Sequence, residues 1–199
     1  MDGINIEMVS GNPLGENTYI ISRSGGDTCI VVDPGAPAST IIQKVGMRSI
    51  AAVLLTHAHF DHILSLDAIR GDAPVYIHAL DADGIADAYQ NASLLMGMEM
   101  TARPADHLIR AEGKLHLADM DIEVLHTPGH TPGSVCFLLG KALFSGDTLF
   151  YHSYGRVDLP GGDAGQMRSS LLRLSGLEPS IQVYPGHGLA TRIEWEQWM

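Results

Sequence analysis

The sequence is poor in basic residues and in cysteine, and both shortages limit what the protein can do. Its 199 residues include 12 Lys and Arg against 23 Asp and Glu, a formal net charge of −11. Proteins that bind nucleic acid phosphates or lie on membrane surfaces gather basic residues, so neither kind of partner is expected. The two cysteines, Cys29 and Cys136, lie in separate apolar runs and form no CxxC pair. We expect both to be reduced thiols of the core.

Long apolar runs and targeting signals are missing as well. No segment approaches the roughly 18 consecutive apolar residues that a membrane-spanning helix needs. The first residues lack a basic stretch followed by an apolar one, so we expect no secretory signal and a cytoplasmic location. A Gly-x-Ser-x-Gly turn is also absent, which disfavours a serine nucleophile.

Hydrophobic residues and histidine are plentiful. The chain is 45% hydrophobic and only 18% charged, which suits a buried core and not a disordered chain. Its length predicts one domain. The ten histidines stand out, because histidine is the commonest side-chain ligand for metal ions in proteins.

Segments typical of strands and helices alternate in two halves of the chain. In each half several short strands, separated by turn residues, precede helical segments. This order predicts a single α/β domain with two mixed sheets and helices outside them. Strands are predicted at 4–9, 17–22, 28–33, 51–55, 74–77, 114–117, 121–126, 134–139, 142–144 and 181–184. Helices are predicted at 38–45, 62–70, 79–88 and 164–174, with a short one near 193–198.

The densest group of potential metal ligands follows the predicted strand at 51–55. His57, His59, Asp61 and His62 lie within six positions of one another. Because side chains alternate in extended chain, His57 and His59 point to one side and can hold one metal ion. Asp61 and His62 come where the chain turns into a helix and can face a neighbouring point. The alternative is that Asp61 caps the helix and the histidines belong to a surface loop.

Three further candidates share one context. His130, Asp147 and His187 each follow a predicted strand and come directly after a glycine, which lets a tight turn present the next side chain. Any one of them alone is more typical of a turn than of a metal site. Together with the first group they give five histidines and two carboxylates, enough for two metal ions that share one carboxylate.

These motifs, in this order, resemble those of the metallo-β-lactamase superfamily, and within it the short glyoxalase II (hydroxyacylglutathione hydrolase)-like branch. The resemblance implies a four-layer αββα sandwich, and one hydrolase domain over residues 1–199 without the carboxy-terminal helical extension of the long glyoxalase II enzymes. It implies a supporting role for Asp33, for which a plain turn aspartate is the equal alternative. The implied ligands are His57, His59 and His130 for one metal, Asp61, His62 and His187 for the other, with Asp147 bridging.

The resemblance also implies a chemistry. Two divalent cations, zinc before iron or manganese, would lower the pKa of a water between them, and the resulting bridging hydroxide would attack the substrate. Asp61 and Asp147 are the implied catalytic carboxylates, with Asp61 orienting the hydroxide. The implied substrates, and the only expected partners, are small acyl thioesters such as S-D-lactoylglutathione. The alternative is a persulfide dioxygenase with a single iron, and a β-lactamase fits the bridging Asp147 less well.

Candidate substrate contacts lie in the loop that precedes the helix at 164–174. Its Gly-Arg-x-Asp-Leu-Pro-Gly-Gly-Asp run resembles the short glyoxalase II-like hydrolases. In the long enzymes a lysine and a tyrosine of this loop hold glutathione. Here Arg156 replaces the lysine, while Asp158 stands about where the tyrosine would be. Arg156 therefore either binds an anion or pairs with Asp158. His152 and Tyr154 are further candidates for the substrate cleft.

Overall fold

Twelve strands form two six-stranded sheets in the computed structural model, which describes residues 3–198. The first sheet contains, in spatial as in chain order, β1 (Ile4–Val9), β2 (Thr18–Arg23), β3 (Thr28–Val32), β4 (Ser49–Leu54), β5 (Val75–His78) and β6 (His107–Ile109). The first three strands pair antiparallel, and β3 to β6 pair parallel. Helix α1 (Ala38–Val45) makes the crossover from β3 to β4, as parallel pairing requires.

The second sheet has the same size and is also mixed. It is formed by β7 (Gly113–Leu117), β8 (Met120–His126), β9 (Val135–Leu139), β10 (Ala142–Gly146), β11 (Gln182–Pro185) and β12 (Thr191–Arg192), again in chain order. All neighbours pair antiparallel except β10 and β11, which run parallel and are joined through helix α4 (Ala164–Ser175).

Apolar side chains fall into three buried clusters, and these define four layers. In β3, Ile30 faces a cluster shared with Phe137 of β9, whereas Val31 faces one shared with Ile41 of α1. In β9, Cys136 belongs to a third cluster with residues of α4. Successive side chains of a strand point to opposite faces, so each sheet is covered on both sides. The predicted αββα sandwich is thereby confirmed, as are two buried, free cysteines.

Three predicted helices are wrong in form. Two short helices, α2 (Phe60–Ile63) and α3 (Leu66–Ile69), take the place of the helix predicted at 62–70, because Ser65 between them bonds to another part of the chain. Its N–H donates to Pro34 O at 2.9 Å and its hydroxyl to Ala36 O at 2.6 Å. The segment at 79–88 holds only a 3-10 turn, Ala82–Ala86, because Asp81 is drawn away to the loop before β9.

The predicted helix near 193–198 is likewise a single 3-10 turn, Ile193–Trp195. Strands β6 and β12, of three and two residues, were not predicted from the sequence. Among residues 3–198, no helix combines the length and the apolar character needed to cross a bilayer.

Candidate metal centre

Four chain segments that leave strand ends meet at one edge of the sandwich. The first runs from the end of β4 through His57, His59, Asp61 and His62 into α2. The other three follow β8, β10 and β11 and carry His130, Asp147 and His187 respectively. The structure thus brings together all seven residues singled out as potential ligands.

The potential ligand atoms form overlapping groups. His57, His59 and His130 offer atoms that all lie within 4.8 Å of one another. Asp61, His62 and His187 form a second group by the same measure, and His57, His62 and Asp147 a third that joins the first two. Asp61 makes no helix cap, since its Oδ2 faces His187 Nε2 at 3.2 Å.

The carboxylate of Asp147 lies between the first and second groups. Its Oδ1 is 3.3 Å from His62 Nε2. Its Oδ2 is 3.4 Å from His130 Nε2 and 3.6 Å from His187 Nε2. The carboxylate therefore faces histidines of both groups, as a carboxylate shared by two ions must.

Hydrogen bonds behind the cluster fix the proton on the outer nitrogen of four histidines. His62 Nδ1 lies 3.0 Å from Asp33 Oδ2, and His130 Nδ1 lies 2.7 Å from Arg156 O. His187 Nδ1 faces Leu14 O at 3.2 Å. His57 Nδ1 faces Thr56 Oγ1 at 3.0 Å, and the Thr56 hydroxyl itself donates to Asp33. In each case Nδ1 is the donor, so Nε2 is the ring nitrogen that faces the centre, where His130 Nε2 also lies 2.7 Å from His59 Nδ1.

Several of these inward atoms have no partner, although burial normally demands one. Within residues 3–198, the buried side-chain atoms that lack a hydrogen bond are His57 Nε2, His59 Nε2, His62 Nε2 and Asp147 Oδ1. Leaving such atoms unpaired costs about 1–3 kcal/mol each. Nitrogen lone pairs and a carboxylate oxygen converging on a common space are the donor set of a divalent cation, so the residues present fit a metal centre.

The electrostatics of the cluster also favour positive charge. Burial raises the pKa of Asp147, but the charges of His62 and His130 outweigh it and hold that pKa well below its usual value. Asp61 behaves alike, since His62 and His187 lower its pKa against burial. Burial lowers the pKa of His57. Burial, and after it the charge of His130, lowers the pKa of His59 to about 3. Two carboxylates thus stay anionic beside two neutral imidazoles, and against the effect of burial they raise the pKa of His62 and His187.

Three supporting residues sit behind the cluster. Asp33 accepts hydrogen bonds from Thr56 N at 2.8 Å and the Thr56 hydroxyl at 2.7 Å, besides its contact with His62. Its supporting role is therefore confirmed. The other two were missed in the sequence. Glu16 is fully buried, and burial raises its pKa well above the usual value. Asp81 accepts from the Thr131 hydroxyl at 2.6 Å and Gly133 N at 2.7 Å, which ties down the His130 loop.

Position 186 requires glycine for steric reasons. A Cβ there would overlap Asp147 Oδ1 and lie 2.7 Å from His62 Cε1. The predicted reason for glycine, its conformational freedom in a tight turn, holds for the glycines before His130 and Asp147. These two glycines have φ of 141° and 48°. The turn after β11 can therefore lie this close to Asp147 and His62 only because Gly186 has no side chain.

Gly186→Ala is expected to weaken metal binding about 10- to 100-fold, the range seen when residues that orient ligands are altered. Overpacking should also lower the free energy of unfolding by about 1–3 kcal/mol. Competition titration with a chromogenic chelator and urea unfolding measure the two effects. Gly113→Ala is the matched control, because its added methyl meets no atom within 4 Å. Wild-type metal affinity in Gly186→Ala would show that the ligands tolerate the methyl.

A cleft of about 380 Å³ opens onto the cluster. Its lining includes five of the potential ligands, His59, Asp61, His130, Asp147 and His187. Arg156 lies on its wall, but the guanidinium is held by Asp158, with Nε donating to Oδ1 at 2.6 Å and a second nitrogen to Oδ2 at 2.8 Å. This ion pair lowers the pKa of Asp158 to about 2. Of the two alternatives for Arg156, the structure shows the pair.

The other two substrate candidates lie elsewhere. Tyr154 stacks on Trp198 with ring centroids 5.9 Å apart. His152 has its Nδ1 3.4 Å from Glu196 Oε2, and its backbone N–H donates to the same carboxylate. Neither residue lines the cleft in the part of the chain that the structure describes.

Comparison with known proteins finds a family and close relatives. Residues 11–187 match the model of the metallo-beta-lactamase superfamily. A curated relative, the "Probable metallo-hydrolase YqgX" of Bacillus subtilis strain 168, is 41% identical over 193 residues, covering 93% of this chain and 90% of its own.

Solved structures agree with this match. BLEG-1, described as a B3 metallo-beta-lactamase, is 37% identical with a TM-score of 0.92, and the match covers 98% of this chain and 97% of BLEG-1. TTHA1623, solved in a di-iron-bound form, is also 37% identical, with a TM-score of 0.80 and 96% of each chain covered.

Proposed function

Because the chain belongs to the metallo-beta-lactamase superfamily, we propose that it is a metal-dependent hydrolase with two divalent ions and that its substrates are acyl thioesters. The observation that carries the proposal is the placement of Asp147 between two histidine groups with unpaired, inward-facing nitrogens. His57, His59 and His130 would hold one ion, and Asp61, His62 and His187 the other, with Asp147 shared. Zinc, iron and manganese all suit this donor set, and a relative binds two irons.

The residues of the site have distinct tasks. Bound divalent ions would lower the pKa of a water at the centre and polarise the carbonyl oxygen of the substrate. Asp61, kept anionic by its histidine neighbours, accepts a hydrogen bond from the attacking water and so orients it. Asp33 and the backbone carbonyls of Arg156 and Leu14 hold the histidine rings in place. The turn that carries His187 closes the site against α2.

The leaving group favours thioesters over amides. A thiol has a pKa near 8.5, so a thiolate departs without prior protonation, whereas an amine needs a general acid. The acidic side chains that line the cleft within residues 3–198 are Asp61 and Asp147, and the pKa of each is lowered. The histidines of the cleft would be bound to the metal ions, and the remaining charged group, Arg156, is engaged by Asp158. The cleft therefore provides an activated nucleophile and no evident proton donor.

Hydrolysis of β-lactams is a second candidate, favoured by the similarity to BLEG-1 over nearly the whole chain. A lactam nitrogen is a poor leaving group without protonation, but ring strain lessens that requirement. We rank it below thioester hydrolysis because of the missing proton donor.

One preparation tests both candidates and the dioxygenase alternative. Elemental analysis should give two divalent ions per chain, and the same protein should release thiol from a panel that includes S-D-lactoylglutathione and acyl thioesters of N-acetylcysteamine. Chelation should abolish turnover and added divalent metal should restore it. Protein with two ions and no thioester turnover, but with turnover of a chromogenic cephalosporin, would replace the proposal by the second candidate. One iron per chain with oxygen uptake on glutathione persulfide would replace it by the dioxygenase.

A further inference from the structure

The wall of the cleft is apolar where it rises from the metal ligands. Besides those ligands and Arg156, its lining side chains are hydrophobic, among them Leu14, Phe60, Leu95, Met96, Phe150 and Leu159. Leu95 and Met96 are 54% and 56% exposed, and Leu14 is 43% exposed. Apolar groups on a surface that is continuous with a catalytic centre form a binding site for an apolar ligand.

Leu95 and Met96 are carried by a loop whose polar residues point inward. Asn91 and Ser93 are fully buried, while Leu94, Leu95 and Met96 form an exposed 3-10 turn. Asn91 Nδ2 donates to Met100 O at 2.8 Å, and Asn91 Oδ1 accepts from Ser93 N at 3.0 Å. The polar side chains close the loop and the apolar ones are left on its tip, the reverse of the usual surface arrangement.

The loop is fixed relative to the metal centre. Phe60 N donates to Asn91 O at 3.0 Å, and Phe60 stands between two of the ligand residues, His59 and Asp61. Met100 N donates to Ser93 Oγ at 3.1 Å and closes the far end of the loop. The apolar tip is therefore pre-formed beside the reacting atoms, and binding there costs little ordering of the loop.

The cleft has little to offer a charged carrier. Glutathione carries two carboxylates and coenzyme A several phosphates, groups that free Lys or Arg side chains usually bind. Of the described residues that line the cleft, the cationic one is Arg156, and Asp158 already pairs with it. Biological thiol carriers are polar, so the apolar part of a thioester is its acyl group.

We propose that Leu95 and Met96, with Leu14 and Phe60, form an acyl-binding subsite that selects thioesters of apolar carboxylic acids over those of small polar acids on glutathione. This inference rests on the proposed thioesterase function. It assigns the specificity of the enzyme to the acyl side of the substrate, with the thiol side weakly recognised.

A chain-length series tests the subsite. Acetyl, butanoyl, hexanoyl and octanoyl thioesters of N-acetylcysteamine share one small, neutral thiol and differ only in the acyl group. We expect kcat/KM to rise about three- to fourfold for each methylene that the subsite buries, or about tenfold per pair. S-alkyl thioethers of N-acetylcysteamine, which cannot be hydrolysed, should show the same dependence in their Kd by calorimetry.

Paired variants separate binding at the subsite from a general preference of the protein surface for apolar ligands. The double variant Leu95→Asn, Met96→Gln should reduce the increment to about twofold per pair of methylenes in both measurements, with an unchanged Tm because both side chains are exposed. Leu172→Asn is the matched control, since Leu172 is 66% exposed on α4 and outside the cleft, and it should keep the wild-type increments.

The outcomes distinguish the two proposals. Efficient thioester hydrolysis without chain-length dependence, or faster turnover of S-D-lactoylglutathione than of octanoyl thioester, would overturn the subsite and leave the thioesterase standing. No thioester turnover, together with chain-length-dependent thioether binding, would overturn the thioesterase and leave the subsite. A dimer that the double variant dissociates would show that a second copy covers the tip, and would overturn the subsite.

Discussion

Asp147→Asn is expected to lower kcat/KM for thioester hydrolysis about a thousandfold or more and to reduce the bound metal from two ions per chain. Asparagine keeps the shape of the side chain but removes its negative charge and one of its two oxygens. Loss of one oxygen removes the carboxylate atom that faces His62, 3.3 Å away, or the one that faces His130 and His187, at 3.4 and 3.6 Å. The side chain can then no longer be shared by two ions. Metal catalysis supplies several kcal/mol of transition-state stabilisation, and each 1.4 kcal/mol is tenfold in rate.

Elemental analysis and thioester kinetics on the same dialysed preparation measure this effect. Asp121→Asn is the matched control, because the Asp121 carboxylate is exposed and pairs only with His116, 2.8 Å away, among the described residues. That variant should retain both metal content and rate. Two tightly held ions and an undiminished rate in Asp147→Asn would contradict a bridging role for this carboxylate.

The cluster of seven potential ligands could be predicted because each of them is tied to a local pattern. An apolar run followed by His57-x-His59-x-Asp61-His62, and three glycine turns after predicted strands, place side chains at strand ends without any knowledge of the fold. Strands β10 and β11 run parallel, so Asp147 and His187 leave the second sheet at the same edge, and for these two residues local position was sufficient.

The support behind the ligands depends on contacts between distant segments. Asp81 and Asn91 have no neighbours in the sequence that indicate a buried role, and each bonds to atoms of another chain segment or of a closed loop. The buried carboxylate of Glu16 accepts a hydrogen bond from the hydroxyl of Thr18, two residues along the chain. The same reason explains the wrong helix at 79–88. Alanine and aspartate there favour a helix locally, but the bonds from Asp81 to Thr131 and Gly133 outweigh that preference.

The loop at 91–96 shows a further limit. Sequence methods place polar residues outside and apolar residues inside, and this loop has the opposite arrangement. Its Leu and Met residues are therefore indistinguishable from core residues in the sequence. Only the hydrogen bonds of Asn91 and Ser93 show why they remain exposed.

Asp33→Ala is expected to destabilise the protein strongly. The carboxylate is 2% exposed and faces three donors: Thr56 N, the Thr56 hydroxyl and His62 Nδ1. Removing it leaves those donors buried and unpaired, with an expected loss of about 3–5 kcal/mol in the free energy of unfolding, as for a broken buried ion pair. Metal affinity should fall about 10- to 100-fold, because the tautomer and orientation of His62 are no longer fixed.

In Asp33→Ala, backbone strain adds to the loss of hydrogen bonds, and the variant Asp33→Asn separates the two effects. Asp33 has φ of 48°, a left-handed conformation that asparagine tolerates and alanine does not, at a cost of about 1–2 kcal/mol. In Asp33→Asn the amide nitrogen must face one of the donors, so part of the hydrogen bonding is lost while the backbone stays unstrained. The free energy of unfolding of the metal-free proteins, measured in urea, should therefore be highest for the wild type, lower for Asp33→Asn and lowest for Asp33→Ala. Equal loss of metal affinity in both variants would assign the effect on His62 to the charge of Asp33, whereas wild-type affinity in Asn would show that shape alone is sufficient.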